Sequence, residues 1–224
     1  MGERPYVLLS CAMSVDGYLD DGTPDRLLLS NDEDFDRVDA VRAGCDAILV
    51  GAATIRRDDP RLLVRSPIRQ RERVARGLPP SPAKVTLSTS GELDPASRFF
   101  TTGETAKIVY AASAAVDGLV SRLGESCTVV DAGDPPALGR VLSDLAGRGV
   151  GRLMVEGGGS VHTQFLLGGL ADELHLVVAP FFVGDPAAPR FVRGGAFPRS
   201  SRRPMRLADV RRMGDVVLLR YLLS

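Results

Sequence analysis

The chain has 224 residues, and its 28 basic and 28 acidic side chains give a formal net charge of zero at pH 7. This length is enough for one domain with an ample core, and the balanced charge produces no global field that would attract nucleic acid or a membrane surface. Three scattered cysteines argue against a disulfide framework or a cysteine-rich zinc site. No apolar run approaches the length of a membrane span. We therefore expect a cytoplasmic protein with no nucleic-acid or membrane partner, in which residues 1–224 form a single domain.

The first elements indicated by the sequence are a strand and an amphipathic helix. Residues 6–12 are apolar enough for an internal strand. Ser30 and Glu33 have the spacing of a capping box, in which the serine caps the helix and the glutamate reaches back to it. Apolar residues then recur at helical spacing up to Gly44, a natural stop. We predict a helix over residues 31–43 with Ser30 as its N-cap.

A second strand follows, and then a segment with little regular pattern. Residues 47–50 are apolar without alternation, which is typical of strands covered on both faces. Small residues after Gly51 open a helical turn. Residues 66–83 alternate arginine with polar residues and end in prolines, so we predict a solvated surface loop or insertion with a short helix. A nucleic-acid patch is disfavoured there, because no interleaved aromatic residues could stack on bases.

The second half of the chain alternates strands with helices and ends in strands. This order predicts an α/β protein with a mostly parallel central sheet flanked by helices and an antiparallel C-terminal hairpin. The predicted elements are strands at 84–89, 107–111, 127–130, 153–155 and 173–183 with a break at Pro180, a helix at 136–148 with Pro135 or Pro136 in its first turn, and a hairpin of 205–213 and 215–223 turning near Gly214.

A run of three glycines, residues 157–159, joins the end of a buried strand to a predicted helix. Glycine adopts backbone angles that other residues resist. It also lets a ligand approach the main-chain N–H groups of a helix N-terminus, where the dipole favours anions. Glu156 sits at the carboxyl end of the strand, the usual side for ligands in open α/β sheets. We predict that a dinucleotide's phosphates lie on these glycines and that Glu156 faces a bound substrate; the alternative is a tight turn without a ligand.

Five segments carry a resemblance to a known family when they are taken in order and spacing. They are residues 13–17, 41–48, 54–65 and 155–159, and residues 169–174 with Ala179-Pro180. Each motif alone is weak, whereas the ordered set is specific and spans roughly the whole chain. The chain resembles the pyrimidine reductases of riboflavin biosynthesis, which include the reductase domain of bifunctional deaminase-reductases and the stand-alone archaeal-type diaminohydroxyphosphoribosylaminopyrimidine reductases. The resemblance implies a dihydrofolate-reductase-like fold and a homodimer.

The resemblance also implies a reaction. Members of the family use NADPH to convert the ribosylamino group of a phosphorylated pyrimidine into a ribitylamino group. Two alternatives stay open at this point: an NADPH-dependent reductase of another heterocycle, pteridine-like or from secondary metabolism, and a non-catalytic dinucleotide-binding protein. No metal is needed for the reduction, and His162 and His175 stand alone, so we expect both histidines to be structural.

Individual roles follow from the resemblance residue by residue. Arginine suits a substrate 5′-phosphate because it forms charge-assisted forks, and a glutamate could bind the pyrimidine edge or manage a proton. The positions that match cofactor contacts are Ala12, Thr54, Asp58, Thr89, Gly158, Gly159, Ser160, Val161 and His162. The positions that match substrate contacts are Arg42, Leu62, Arg65 and Glu156, and the residues expected to be catalytic are Glu156 and Asp16.

Structural alternatives exist for three of these residues. Arg42 has the alternative of complementing the C-terminal dipole of its helix. Asp58 has the alternative of capping a turn. Asp16 has the alternative of an Asx-turn that holds the first loop, and the sequence does not decide between this role and a role in the site.

Some features depart from the bifunctional members of the family. The sequence contains neither H-x-E nor P-C-x-x-C, which excludes zinc deaminase chemistry. Arg26 and Leu28 stand where the bifunctional enzymes tend to carry a serine and a tryptophan, and the chain has no tryptophan. This region looks more like the stand-alone reductases of the archaeal type, and a changed pocket wall leaves the identity of the pyrimidine open.

Overall fold

The computed structural model describes residues 4–23, 25 and 27–223. Arg26, one of the two departures noted above, lies outside the described residues. The helices and strands are β1 Tyr6–Ser14, α1 Asp32–Ala43, β2 Ala47–Gly51, α2 Ala52–Asp58, α3 Pro67–Ala75, β3 Ala83–Ser88, α4 Arg98–Thr101, β4 Lys107–Ala111, α5 Val116–Leu123, β5 Thr128–Asp131, α6 Leu138–Gly147, β6 Arg152–Gly157, α7 Gly159–Leu167, β7 Glu173–Ala179, β8 Arg206–Met213 and β9 Val216–Leu222.

The chain divides into two compact units. The first comprises Asp39–Met154 with the residues up to Tyr6, and the second comprises Val7–Val38 with the residues from Val155 onwards. The chain therefore passes from the first unit to the second within β6. Within the part of the chain that the structure describes, no helix is both long enough and apolar enough to cross a membrane.

The first unit contains parallel strands in the order β5-β4-β3-β2. All five residues of β2 are buried, which confirms the prediction that this apolar run is covered on both faces. Ile48 and Val50 of β2 belong to an apolar cluster with Ile55 of α2, Phe99 of α4 and Leu119 of α5. This cluster packs β2 against α2, α4 and α5.

The second unit has its strands in the order β1-β7-β9-β8. β1 and β7 are parallel, whereas β9 is antiparallel to both β7 and β8. The predicted antiparallel C-terminal hairpin is therefore confirmed. Val177, Met213, Val216 and Leu218 form an apolar cluster here, against which Ala12 of β1 packs.

The start of α1 corrects the predicted capping box. The Asp34 N–H donates to Asn31 Oδ1 at 3.1 Å, and the Phe35 N–H donates to the Asn31 carbonyl at 2.9 Å. Asn31 is therefore the N-cap, and the prediction of Ser30 was wrong by one position. Ser30 Oγ instead donates to the carboxylate of Asp34. Asparagine caps as well as serine does, so the pattern alone could not separate the two neighbours.

The segment 66–83 holds α3 and is less solvated than its composition suggests. Ser66 caps the helix by accepting the Arg69 N–H at 3.4 Å. Arg73 is only 1% exposed. Its guanidinium donates to the carbonyls of Ala43, Cys45 and Pro79 at 2.8–2.9 Å. The short helix was expected, whereas the buried arginine that ties it to the end of α1 was not.

Other predicted bounds need correction. Ala137 is the N-cap of α6, so Pro135 and Pro136 precede the helix rather than occupy its first turn. The predicted break at Pro180 is confirmed, because β7 ends at Ala179 and proline cannot donate to the strand ladder, but the strand does not resume over residues 181–183. The helix α5 was not predicted.

Candidate functional site

The first unit carries predicted ligand contacts on α2 and the loop that follows it. Thr54 is half-buried on α2, and Asp58 is exposed at its C-terminus. The helix ends because Asp59 adopts the left-handed conformation (φ 40°) and its N–H donates to the Ile55 carbonyl at 3.0 Å. The Asp59 carboxylate pairs with Arg98 Nε at 2.9 Å. Asp59 therefore shapes this turn through both its backbone and its carboxylate. Thr89 lies directly after β3 and is exposed.

Three predicted substrate contacts lie near one another in the first unit. Arg42, in the last turn of α1, donates from Nη1 to the Leu63 carbonyl at 3.1 Å. This bond places the Arg42 guanidinium against the loop that carries Leu62 and Arg65. The Arg65 residue is exposed, whereas Leu62 is 2% exposed and packs in the apolar core. Any contact between Leu62 and a ligand would therefore involve its backbone.

The glycine turn of the second unit shows two distinct reasons for glycine. Gly158 has φ 54° and ψ 152°, a conformation open only to glycine. A Cβ on Gly159 would overlap the carbonyl oxygen of Arg190. The N–H groups of Val161 and His162 donate to the Gly158 carbonyl at 3.0 and 3.1 Å, which starts α7. The turn and its packing thus account for these two glycines even before a ligand is considered.

The predicted cofactor contacts on α7 differ in accessibility. Gly158, Gly159 and Ser160 are half-buried, whereas Val161 is 6% and His162 0% exposed. Burial lowers the pKa of His162 to about 4, so the ring is neutral near pH 7. Among the residues that the structure describes, neither ring nitrogen has a hydrogen-bond partner, and the ring lies 5.5 Å from that of Phe191. The side chain of His162 is packed inside the unit, and its N–H already donates to the Gly158 carbonyl.

Glu156 lies on β6 and Ala12 lies on β1, and these two strands are adjacent in the sheet. Glu156 is half-buried and is the second-to-last residue of strand β6, immediately before the glycine turn. Ala12 is half-buried on β1 and pairs in register with Val177 of β7. His175 lies in a polar network, with Nε2 2.9 Å from Glu173 Oε1 and Nδ1 3.0 Å from Arg37 Nη1. Because arginine only donates, Nδ1 must accept, which supports the expected structural role of His175.

Asp16 is held by three donors. Its carboxylate accepts from Ser14 Oγ, from the Val183 N–H at 3.1 Å and from the Gly184 N–H at 2.8 Å. Desolvation raises the pKa of Asp16, but these hydrogen bonds outweigh it and lower the pKa below its ordinary value. Asp16 therefore stays ionised near neutral pH and joins the turn after β1 to residues 183–184. This geometry favours the structural alternative over the predicted catalytic role.

Replacement of Asp16 by asparagine should weaken the fold and leave turnover largely intact, because the amide loses the charge and one acceptor oxygen. A folded-state pKa below the unfolded value means that the carboxylate stabilises the protein above about pH 4, and that this stabilisation is lost as the pH falls through the folded pKa. The difference in unfolding free energy between wild type and Asp16→Asn should therefore shrink with acidification in denaturant titrations. Asp25→Asn, at an exposed position, is the control. A loss in kcat of about a hundredfold would instead assign Asp16 to the chemistry.

Sequence reasoning assigned residues 181–183 to a strand and missed the role of the segment 181–193, which we call the strap. Its Phe191 N–H donates to the Gly17 carbonyl at 3.0 Å, and Arg190 Nη2 donates to the Tyr18 hydroxyl at 2.6 Å. The N–H of Arg193 donates to Thr163 Oγ1 at 2.9 Å. The strap thus lies against both the turn after β1 and helix α7. It has no hydrophobic period, so its sequence offered no signal of this position.

Known proteins resemble this chain along most of its length. The family model described as the RibD C-terminal domain matches residues 5–219. A protein of Archaeoglobus fulgidus named 2,5-diamino-6-ribosylamino-4(3H)-pyrimidinone 5′-phosphate reductase is 32% identical over 213 residues, 95% of each chain. The protein of that name from Methanothermobacter thermautotrophicus is 35% identical over 192 residues, 85% of each chain. The crystal structure of a pyrimidine reductase-like protein from Corynebacterium diphtheriae gives a TM-score of 0.82 at 23% identity, covering 97% of this chain and 91% of that one. That likeness shows a shared fold.

Proposed function

Because the chain belongs to the RibD C-terminal domain family, we propose that it is an NADPH-dependent reductase that converts the ribosylamino group of a phosphorylated pyrimidine intermediate of riboflavin biosynthesis into a ribitylamino group. The observation that carries the proposal is the match along 95% of both chains to a relative whose name is that of a reductase of a ribosylamino-pyrimidinone 5′-phosphate. We further propose that residues 1–224 act as one reductase domain, since the family match draws on both units.

The described residues suit two anionic ligands. Arg42 and Arg65 supply positive charge for a 5′-phosphate. The glycine turn at the start of α7 suits a dinucleotide's phosphates, because the N-terminus of a helix favours anions. Glu156, at the end of β6, suits the pyrimidine edge or a proton in transfer. When bound, NADPH would supply the hydride that reduces the sugar C1′ of the ring-opened imine, while the imine nitrogen gains a proton.

The phosphate assignment predicts a specific kinetic defect. We expect Arg65→Ala to raise the KM for the phosphorylated substrate about thirtyfold, from the loss of a charge-assisted hydrogen bond, and to leave the KM for NADPH unchanged. The assay follows the absorbance of NADPH during turnover. Arg71→Ala, which removes an exposed arginine of α3, is the matched control. An unchanged KM for the substrate in Arg65→Ala would contradict the phosphate assignment, and turnover only with another heterocycle would overturn the proposed substrate.

We also propose a homodimer that forms through the C-terminal strands. Leu207 and Val210 of β8 are 50% and 55% exposed, and Val217 of β9 is 36% exposed. Apolar side chains clustered on an outer strand favour contact with another chain. Sedimentation equilibrium measures the oligomeric state directly.

The free thiols of Cys11, Cys45 and Cys127 support a cytoplasmic location for the enzyme.

A further inference from the structure

We propose that Asp39 is a positioning residue for substrate binding, because it fixes the backbone from which Arg65 projects. The inference rests on the proposed function, since it concerns the arginine assigned to the substrate phosphate. Asp39 lies on α1, is 3% exposed and belongs to the same unit as Arg65. Its own carboxylate points into the protein and does not need to touch a ligand.

Both oxygens of the Asp39 carboxylate bind the loop. Oδ1 accepts the N–H of Arg65. Oδ2 accepts the N–H of Ser66 at 3.1 Å and a hydrogen bond from Arg69 Nη1 at 3.0 Å. A buried carboxylate thus binds two consecutive backbone N–H groups and one guanidinium. The last of these supplies the positive charge that a buried carboxylate requires.

The two N–H groups flank the Cα atom of Arg65. Each peptide unit is planar, so an N–H held in place fixes the orientation of its whole plane. The plane before Arg65 is held at both edges, because Gln70 Nε2 donates to the Val64 carbonyl at 2.7 Å while Asp39 accepts the Arg65 N–H. The plane after Arg65 is held through Ser66. Two fixed planes set φ and ψ of Arg65 and therefore the direction of its Cα–Cβ bond.

The rest of the loop makes this anchoring necessary. No helix or strand covers residues 62–66, and Leu62 has φ 49°, which is strained for a residue with a branched side chain. Side chains bind two more of its backbone groups: Ser81 Oγ accepts the Val64 N–H at 3.0 Å, and Arg42 Nη1 donates to the Leu63 carbonyl at 3.1 Å. A strained loop keeps one conformation only when its surroundings determine it. Displacement of a positioned charge by about 1 Å lowers catalytic efficiency strongly.

The test is a double-mutant cycle of Asp39→Asn and Arg65→Ala, with Asp36→Asn, an exposed carboxylate on the same helix, as the control. The amide of Asp39→Asn has nearly the same shape but presents an NH2 group to one of the donors. We expect Asp39→Asn to raise the KM for the phosphorylated substrate about tenfold, to leave the KM for NADPH unchanged, and to add nothing in the Arg65→Ala background. A purely structural defect would instead change both KM values and would persist in that background.

The possible results distinguish a failure of the positioning role from a failure of the proposed function. An unchanged KM for the substrate in folded Asp39→Asn, or an equal effect with and without Arg65, would overturn the positioning role while the proposed function stands. If wild type does not oxidise NADPH in the presence of the substrate, the proposed function is overturned and this role with it. Should Asp39→Asn fail to fold, Gln70→Ala releases the other edge of the same peptide plane. This variant must raise the KM for the substrate, by less than tenfold, and leave the KM for NADPH unchanged. A wild-type substrate KM in Gln70→Ala would then overturn the proposal.

Discussion

Glu156→Gln should lower kcat by a factor of about 10² to 10⁴ while the protein stays folded, if the carboxylate transfers a proton during the reduction. Glutamine keeps the shape of the side chain and an acceptor oxygen, but it neither carries charge nor accepts a proton. Glu156 is half-buried at the end of β6, where the residue directly after it begins the glycine turn. A substitution of equal size therefore adds no bulk beside the turn.

The kinetic form of the defect separates the two roles open to Glu156. If the carboxylate only binds the pyrimidine edge, equally in the ground state and the transition state, the KM rises and kcat is retained. If it manages a proton, kcat falls at saturating substrate and NADPH. Steady-state kinetics with both reactants at saturation makes the distinction, and the NADPH Kd from fluorescence should stay unchanged. Glu104→Gln, which alters an exposed glutamate, serves as the control. Wild-type values for both kcat and KM would remove Glu156 from the site.

The elements that were predicted well from the sequence are those whose local pattern and burial agree. The prediction of 107–111 matches β4, and that of 47–50 falls one residue short of β2, because continuous apolar runs have few alternatives to a buried strand. The helix α5 was missed although its buried residues Leu119 and Leu123 are four apart. Gly118 within it weakens helix propensity, and the segment is only eight residues long.

The contacts that shape the candidate site were harder to predict, because they are made by buried polar groups. Arginine and aspartate are rarely buried, so Arg73 and Asp39 were natural candidates for the surface. Their partners are backbone groups distant in sequence, such as the Cys45 carbonyl and the Arg65 N–H. No single sequence shows which carbonyl or N–H group a side chain will reach after folding. Resemblance to a family supplied candidate residues such as Arg42 and Arg65, but not what holds them in place.

Gly159→Ala should lower the free energy of unfolding by about 2–3 kcal/mol, from overpacking against rigid backbone. The added Cβ would overlap the carbonyl oxygen of Arg190 and lie 3.4 Å from that of Phe191. Backbone atoms cannot rotate away as a side chain does, so either α7 or the strap must shift. Gly139→Ala is the matched control, because nothing lies within 4 Å of its Cβ position on α6. Relief of the glycine entropy cost should make that variant more stable by about 0.5–1 kcal/mol.

Denaturant titration of the two alanine variants tests the packing, and NADPH binding tests whether Gly159 also matters for the cofactor site. Equal stability of Gly159→Ala and wild type would contradict the contact with Arg190. If packing were the only reason for glycine at this position, the folded fraction of Gly159→Ala would bind NADPH with the wild-type Kd. We expect a weaker Kd than the unfolded fraction explains, because a shift at the start of α7 moves the N–H groups proposed to bind the phosphates. The glycine turn would then serve two purposes: Gly159 admits the strap on one side, and the N-terminus of α7 binds an anion on the other.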